Sequence, residues 1–200
     1  MFICIEGNIG SGKTTLAKAL AKQLRATFLP EQFEENALLP LFYKDQKKYA
    51  FPTEYSFLIE RHKQLTTFFN NYKNNQLIIS DYHFDKCICF AKANLSKNDY
   101  TFFKKHFKSI LDTLPTPNLV VYLTTSTKQL QQNIAKRGRK MEQNLPKAYL
   151  EKLNLVLDEY YIHKLKLKTT ILVLNIKNYN SATLKTYCKE IEQVIENLKK

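Results

Sequence analysis

Long apolar runs are absent from this sequence. In 200 residues the longest extend four to six, against the ~20 that a membrane-spanning helix requires, so no membrane attachment is expected. The start of the chain carries an acid, Glu6, and is not expected to be a signal peptide. Cysteine is scarce: Cys4, Cys87, Cys89 and Cys188 include no C-x-x-C pair. Cys4 falls inside an apolar run, so the four are expected to be reduced core thiols of a cytoplasmic protein. His62, His83, His106 and His163 are scattered without metal-ligand spacing, and no structural zinc is expected. Repeats, low-complexity linkers and signs of a second domain are missing too. One domain over residues 1–200, with 44% hydrophobic residues to build its core, is the expectation. Arginine is the most telling shortage. Of 31 basic residues only Arg25, Arg61, Arg137 and Arg139 are arginine, and the other 27 are lysine. In a chain so biased to lysine, the few guanidiniums are candidates for places that need a fixed fork of donors.

What is present begins with Gly7-Asn8-Ile9-Gly10-Ser11-Gly12-Lys13-Thr14, which fits G-x-x-x-x-G-K-[ST]. Its context is the one that motif needs: Phe2-Ile3-Cys4-Ile5 reads as a buried strand, and Leu16, Ala19, Leu20 and Leu24 recur at helical spacing after it. The glycines let the backbone curl so that successive N–H groups point at phosphate oxygens, at the positive end of the following helix. Lys13 would reach the β- and γ-phosphates of a nucleoside triphosphate, and Thr14 would place its hydroxyl on Mg²⁺, with Thr15 completing the ATP-binding run. The net charge of +13 admits a nucleic-acid surface or a solvated lysine-rich face with an attraction for anionic ATP. The lysines are spread through every segment, which favours the second and argues against a nucleic-acid partner.

Strand-like runs recur at 2–5, 26–29, 77–79, 119–123 and 171–174, with helical patterns at 13–24, 54–72, 84–112 (broken near 95–98), 127–137, 146–165 and 182–198. Strands alternating with helices specify an α/β fold. We expect a P-loop NTPase-type three-layer sandwich, with a five-stranded parallel sheet covered on both faces and a short Arg-bearing lid at about 136–145. In such sheets sites gather at the carboxyl ends of the strands. Besides the phosphate loop, two acids stand there, and a pair of arginines ends the helical pattern at 127–137. Glu31 follows the second strand, where a carboxylate beside the phosphate loop would accept a proton from an attacking hydroxyl; its alternative is an ordinary surface acid. Asp81 ends the apolar run Leu77-Ile78-Ile79, as a Walker-B acid that holds Mg²⁺ or as a cap of the next helix. Arg137 and Arg139 flank Gly138, either as a hinged pair closing over the transferring phosphoryl group or as solvated cations at a helix end.

Taken in order, these residues resemble the deoxynucleoside kinase family. The resemblance rests on Glu6 to Thr14, Pro30-Glu31, Phe42-Tyr43, the segment Phe51 to Arg61, Phe90-Ala91, and Arg137-Gly138-Arg139 followed by Glu142-Gln143 and Tyr149 to Leu153. It implies that Glu31 contacts the sugar 5′-hydroxyl and acts as base, that Tyr43 and Glu142 grip the 3′-hydroxyl, and that Arg137 and Arg139 are lid arginines. Tyr179 lies where the family packs a loop on the ATP adenine. Glu54 stands where the family has a glutamine reading the base edge, with Arg61 two turns on. One departure concerns the acid-Arg-Ser motif after the third strand, where this chain has Ser80-Asp81-Tyr82. Aligned without gaps from Phe90-Ala91, Asp81 replaces the Arg and Lys86 a base-contacting Asp; shifted by one, Asp81 is the family's acid. The second suits the need for a carboxylate near Mg²⁺, and Lys86 then supplies the positive charge. Tyr82 and Lys86 join the substrate-binding set with Glu31, Tyr43, Glu54, Arg61 and Glu142.

The reading is an ATP- and Mg²⁺-dependent deoxynucleoside 5′-kinase, expected to form a homodimer through helices 54–72 and 84–112. A thymidylate-type monophosphate kinase is the nearer alternative, and a P-loop ATPase working on nucleic acid the more distant one. An ionised Glu54 only accepts hydrogen bonds, so the base should present donors. Purines are expected first, deoxyadenosine ahead of deoxyguanosine, and thymidine last. The alternative is that Arg61 or Lys86 neutralises Glu54, which then touches no base.

Overall fold

The apolar run after Met1 becomes β1 (Phe2–Gly7), and every residue of that strand is buried. It is the middle of a five-stranded parallel sheet, a computed structural model describing residues 1–34, 36–72, 76–165 and 169–199. The others are β2 (Thr27–Leu29), β3 (Ile78–Ser80), β4 (Leu119–Thr124) and β5 (Thr170–Asn175), in the order β2-β3-β1-β4-β5. Cys4 pairs in register with Ser80 on one side and Val120 on the other, and Gly7 with Leu123. The register brings Pro30, Asp81 and the loop after Gly7 to one edge. From β1 the chain crosses to β2 and returns to β3 on one side, then passes to β4 on the other side of β1, and this reversal of direction opens the crevice where such sheets bind ligands.

Both faces are covered. On one, α1 (Lys13–Leu24) and α8 (Ser181–Asn197) bury Leu16, Leu20, Cys188 and Ile191 against Ile3, Ile5 and Val121. On the other lie α3 (Gln46–Asn71), α4 (Lys86–Asn94), α5 (Lys97–Leu111) and α7 (Lys147–Asp158), packing Leu58, Cys87, Phe103 and Leu153 against Cys4 and Val120. The alternation of strand residues between the two cores is what a sheet buried on both faces demands. The remaining helices are α2 (Leu39–Lys44) and α6 (Thr127–Arg137).

Three helical features differ from the sequence expectation: one start, one extra helix and one change of helix type. Helix α3 begins at Gln46 rather than 54, because the Asp45 side chain accepts from Lys48 N at 3.1 Å and caps it, so that Pro52 sits inside the helix instead of before it. Helix α2 was not signalled at all; its six residues are too few to show a period. After α7 the chain continues as a π-helical stretch, Glu159–Lys164, with Tyr161 buried against Tyr122. The break between α4 and α5 falls at Leu95–Ser96, and Ser96 caps α5 by accepting from Asp99 N. All four cysteines are free and buried.

Candidate active site

The phosphate loop runs from Gly7 into α1, and its shape depends on left-handed backbone. Gly12 has φ +89°, and a Cβ there would lie 2.1 Å from Cε2 of Tyr179, so neither the conformation nor the space admits a side chain. The loop is fixed from outside. Asn8 Nδ2 donates to Leu150 O (2.8 Å) and Asn154 Oδ1 (2.7 Å) of α7, Asn133 Nδ2 to Gly10 O (2.7 Å), and Tyr179 Oη to Ser11 O (3.1 Å). Buried Glu6 accepts from Gly7 N at 2.8 Å and His83 N at 3.0 Å, joining the loop to the chain after β3. Lys13 Nζ donates to Gly7 O (2.8 Å) and Asn8 O (2.9 Å). Its pKa is lowered to about 8, first by burial and then by the charge of Lys86.

Thr14 Oγ1 donates to Asp81 Oδ2 at 2.5 Å, and Asp81 Oδ1 accepts from Glu31 N at 2.7 Å. The cap alternative for Asp81 is not what the fold uses, since α4 begins five residues later, after Asp85. A hydroxyl and a carboxylate meeting beside Lys13 are the hard oxygen donors that Mg²⁺ takes.

Glu31 is enclosed by two cations. Arg61 Nη2 approaches Oε1 at 2.6 Å, and Lys86 Nζ approaches Oε2 at 2.7 Å, with all three side chains under a tenth exposed. Burial alone would raise the Glu31 carboxyl, but Lys86 and Arg61 outweigh it and hold the pKa down at about 2. Aromatic faces back both cations: Phe57 lies 4.4 Å from the Arg61 guanidinium and Phe90 5.4 Å from Lys86 Nζ. The surface-acid alternative for Glu31 is therefore not what the structure has.

These groups line one cavity of about 910 Å³, with the phosphate loop at one end and Phe42, Phe57, Phe90 and Tyr149 around the other. Glu54 is on its wall. Its Oε1 accepts from Asn94 Nδ2 at 2.7 Å, and among the described residues Oε2 has no partner. Burial raises its pKa to about 7, against the opposing effects of the Asn94 hydrogen bond and the charges of Arg61 and Lys86. Those two cations bond Glu31 instead, so neutralisation of Glu54 by a direct ion pair does not occur. Tyr43 and Glu142 share the same cavity, and burial and then the Glu142 charge keep the Tyr43 hydroxyl protonated. Arg137 pairs with Glu142, and Arg139 reaches Glu34 at 3.0 Å and the same Glu142 at 3.6 Å while stacking on Phe33. Gly138 ends α6 in the left-handed conformation, which separates the two arginines by a turn.

Lys13, Thr14, Glu31, Tyr43, Glu54, Arg61, Lys86, Arg137, Arg139, Glu142 and Tyr179 thus reach one cavity, and Asp81 lies directly beneath it. Tyr82 does not. Expected at the substrate, it is 1% exposed in the core, and its hydroxyl donates to Gln64 Oε1 at 2.9 Å. The Asp81 side chain turns to Thr14, while the chain bends at Asp81 after β3 and the Tyr82 ring goes into the core. Tyr179 lies against the phosphate loop itself. Asn94, Asn133 and Phe33 were missed by the sequence reading. Their only signals, polar residues inside helices and one aromatic residue after a strand, are too common to select them.

Comparison with known proteins agrees over nearly the whole chain. A family model described as deoxynucleoside kinase matches residues 3–200. A deoxyguanosine kinase of Bacillus subtilis is 39% identical over 153 residues, 76% of this chain and 74% of its own. A deoxyadenosine/deoxycytidine kinase of the same organism is 30% identical over 157 residues, 76% and 72% of the two chains. A solved deoxyadenosine kinase from M. mycoides with bound dCTP has a TM-score of 0.84 at 27% identity, covering 96% of this chain and 100% of that one.

Proposed function

The chain belongs to the deoxynucleoside kinase family, and we propose that it moves the γ-phosphoryl group of ATP to the 5′-hydroxyl of a purine deoxynucleoside. It is a phosphotransferase. The observation that carries the finer reading is the position of Glu31. One carboxylate is fixed by Arg61 and Lys86 between the phosphate-loop lysine and an aromatic-walled compartment. A hydroxyl in that compartment would find its acceptor there. With a pKa of about 2 Glu31 is a weak base, so it orients the hydroxyl and takes the proton late, once bonding to phosphorus has made that proton acidic.

For the other residues we propose the roles that the family resemblance implies, and their places in one cavity support them. Lys13 and the lid arginines Arg137 and Arg139, on the segment 136–145 of a single domain, stabilise charge on the moving group. Thr14 and Asp81 would hold Mg²⁺, which would supply positive charge to offset that of the reacting phosphates. The backbone from Gly7 to Thr15 cradles the phosphates, and Tyr179 borders the nucleotide end. Tyr43 and Glu142 hold the 3′-hydroxyl, and Glu54 faces the base. Against the monophosphate-kinase reading, Arg61 and Lys86 at the acceptor end are both committed to Glu31. Little positive charge is left there for an incoming phosphate.

Free, buried thiols suit a reducing, cytoplasmic compartment, and no helix of the described residues is long and apolar enough to cross a membrane. Ile59 on α3 and Phe102 on α5 are about half exposed, as a homodimer through these helices would need. The functional test is formation of monophosphate from each of the four deoxynucleosides with ATP and Mg²⁺. Deoxyadenosine and deoxyguanosine should lead and thymidine should be last. Thymidine as the best substrate would overturn the purine reading.

A further inference from the structure

One wall of the cavity carries two buried polar atoms without partners. Among the described residues, Glu54 Oε2 and Thr53 Oγ1 have no hydrogen-bond partner, and both residues line the cavity in which a nucleoside would sit. Buried polar atoms are ordinarily satisfied, so an orphaned pair on a cavity wall marks where a ligand's polar edge belongs. The other carboxyl oxygen is already used. Glu54 Oε1 accepts from Asn94 Nδ2 at 2.7 Å, and the same Nδ2 lies 3.2 Å from Tyr149 Oη. Asn94 of α4 thereby fixes the carboxyl plane and leaves Oε2 as the atom presented to the cavity.

The surroundings leave that oxygen's proton open to exchange at ordinary pH. The groups that face Glu54 are Asn94, Lys86 and the Cys87 thiol from α4, Tyr149 from α7, Tyr43 from α2, and Arg61 on its own helix; burial first keeps Cys87 protonated, with a pKa of about 11. The two cations hydrogen-bond Glu31 rather than Glu54. Both tyrosines are held in their protonated form by burial. A carboxylate enclosed in this way, 3% exposed and with one hydrogen bond, is costly to keep charged. Its pKa is raised by burial to about 7.

We propose that Glu54, oriented by Asn94, selects between the two purines by its own proton: with the proton on Oε2 it donates to O6 of guanine, and without it the same oxygen accepts from the N6 amino group of adenine. At the C6 position guanine offers only an acceptor and adenine a donor. A neutral carboxyl has one O–H to give, while a carboxylate only accepts. Each purine therefore fits one protonation state and meets an unmatched polar atom in the other. The expectation that deoxyadenosine leads assumed an ionised Glu54. With a carboxyl that titrates near neutrality, the order of the purines becomes a function of pH. The proposal rests on the reading of the cavity as a purine deoxynucleoside site.

The test is the ratio of kcat/KM for deoxyguanosine to that for deoxyadenosine, measured from pH 6 to 8.5 on the full-length protein. Ionisation of Glu31, Lys13 and the phosphates acts on both substrates alike and cancels in the ratio. The ratio should fall about tenfold as pH rises through 7, the effect of exchanging one good hydrogen bond for an unmatched pair. Glu54→Gln keeps the shape but cannot titrate, and its ratio should be flat. Asn94→Ala removes a hydrogen bond that favours the ionised form, and should move the midpoint of the change to higher pH. A flat ratio in the native protein, or an unaltered slope in Glu54→Gln, overturns the proposal while leaving the kinase reading intact. An unmoved midpoint in Asn94→Ala overturns the part given to Asn94. Phosphorylation of neither purine at any pH overturns the purine-site reading and the proposal with it.

Discussion

Substitution of Glu31 by glutamine should destabilise the protein by an amount that depends on pH. The amide has the shape of a protonated Glu31 but cannot carry its charge, and Arg61 and Lys86 stay buried at 2.6 and 2.7 Å from where that charge was. In the folded protein the Glu31 carboxyl is held at about 2 instead of the usual 4.5. At ~1.4 kcal/mol per pH unit, this is worth about 3 kcal/mol. The figure agrees with the ~3–5 kcal/mol lost when one member of a buried ion pair is removed. The sign is that of a depressed acid: the stability is fully present well above the unfolded pKa of 4.5 and is lost as pH falls toward 2. At pH 7 the variant should be less stable by about 3 kcal/mol, and by pH 3 less than half of that gap should remain, because the native Glu31 of the unfolded chain is by then protonated. Urea unfolding followed by circular dichroism at pH 7, 5, 4 and 3 measures the gap directly. A gap below ~1 kcal/mol at pH 7 would show that the cations do not hold Glu31 as the geometry indicates. A gap of constant size from pH 5 to 3 would assign the loss to packing and refute the electrostatic account.

Lys13→Ala should leave the melting temperature nearly unchanged and lower turnover by ~10²–10³, the usual loss when an electrostatic stabiliser of the transition state is removed. Retention of more than about a hundredth of the activity would remove Lys13 from catalysis. Gly12→Ala should abolish ATP use, since the new Cβ would meet Tyr179 at 2.1 Å on backbone with φ +89°. Adding Tyr179→Ala should relieve the clash but not the backbone strain of ~1–2 kcal/mol, giving partial recovery, and full activity of the single variant would contradict the loop geometry. Substrates without the 3′-hydroxyl should lose efficiency by ~1–3 kcal/mol for each buried partner left without a hydrogen bond, and the loss should shrink in Tyr43→Phe. Equal efficiency of the native enzyme with 3′-deoxy and natural substrates would exclude the Tyr43–Glu142 role.

The sequence by itself determined the features whose physics is local. A phosphate loop needs glycines, a lysine and a hydroxyl at fixed spacing between a buried strand and a helix, and residues 2–24 carry all of these in one stretch. The strands were legible because a sheet covered on both faces requires continuous apolar runs, and α1 and α6 because period and ends agree. The start of α3 was not, because Pro52 reads as a breaker while the cap at Asp45 is one ordinary Asp among many. What only the tertiary structure decided is the choice of partners. Arg61 and Glu54 share a helix, and their spacing allows either to be imagined with the other; the packing of α3 and α4 beneath the loop after β2 gives Arg61 and Lys86 to Glu31 and leaves Glu54 to Asn94. Likewise Asp81 and Tyr82 are neighbours in sequence, yet one turns to Thr14 and the other into the core. Hydrophobic pattern fixes which faces are buried, but the charge that an acid meets is set across 30 to 55 residues of chain, by helices whose relative placement no local pattern encodes.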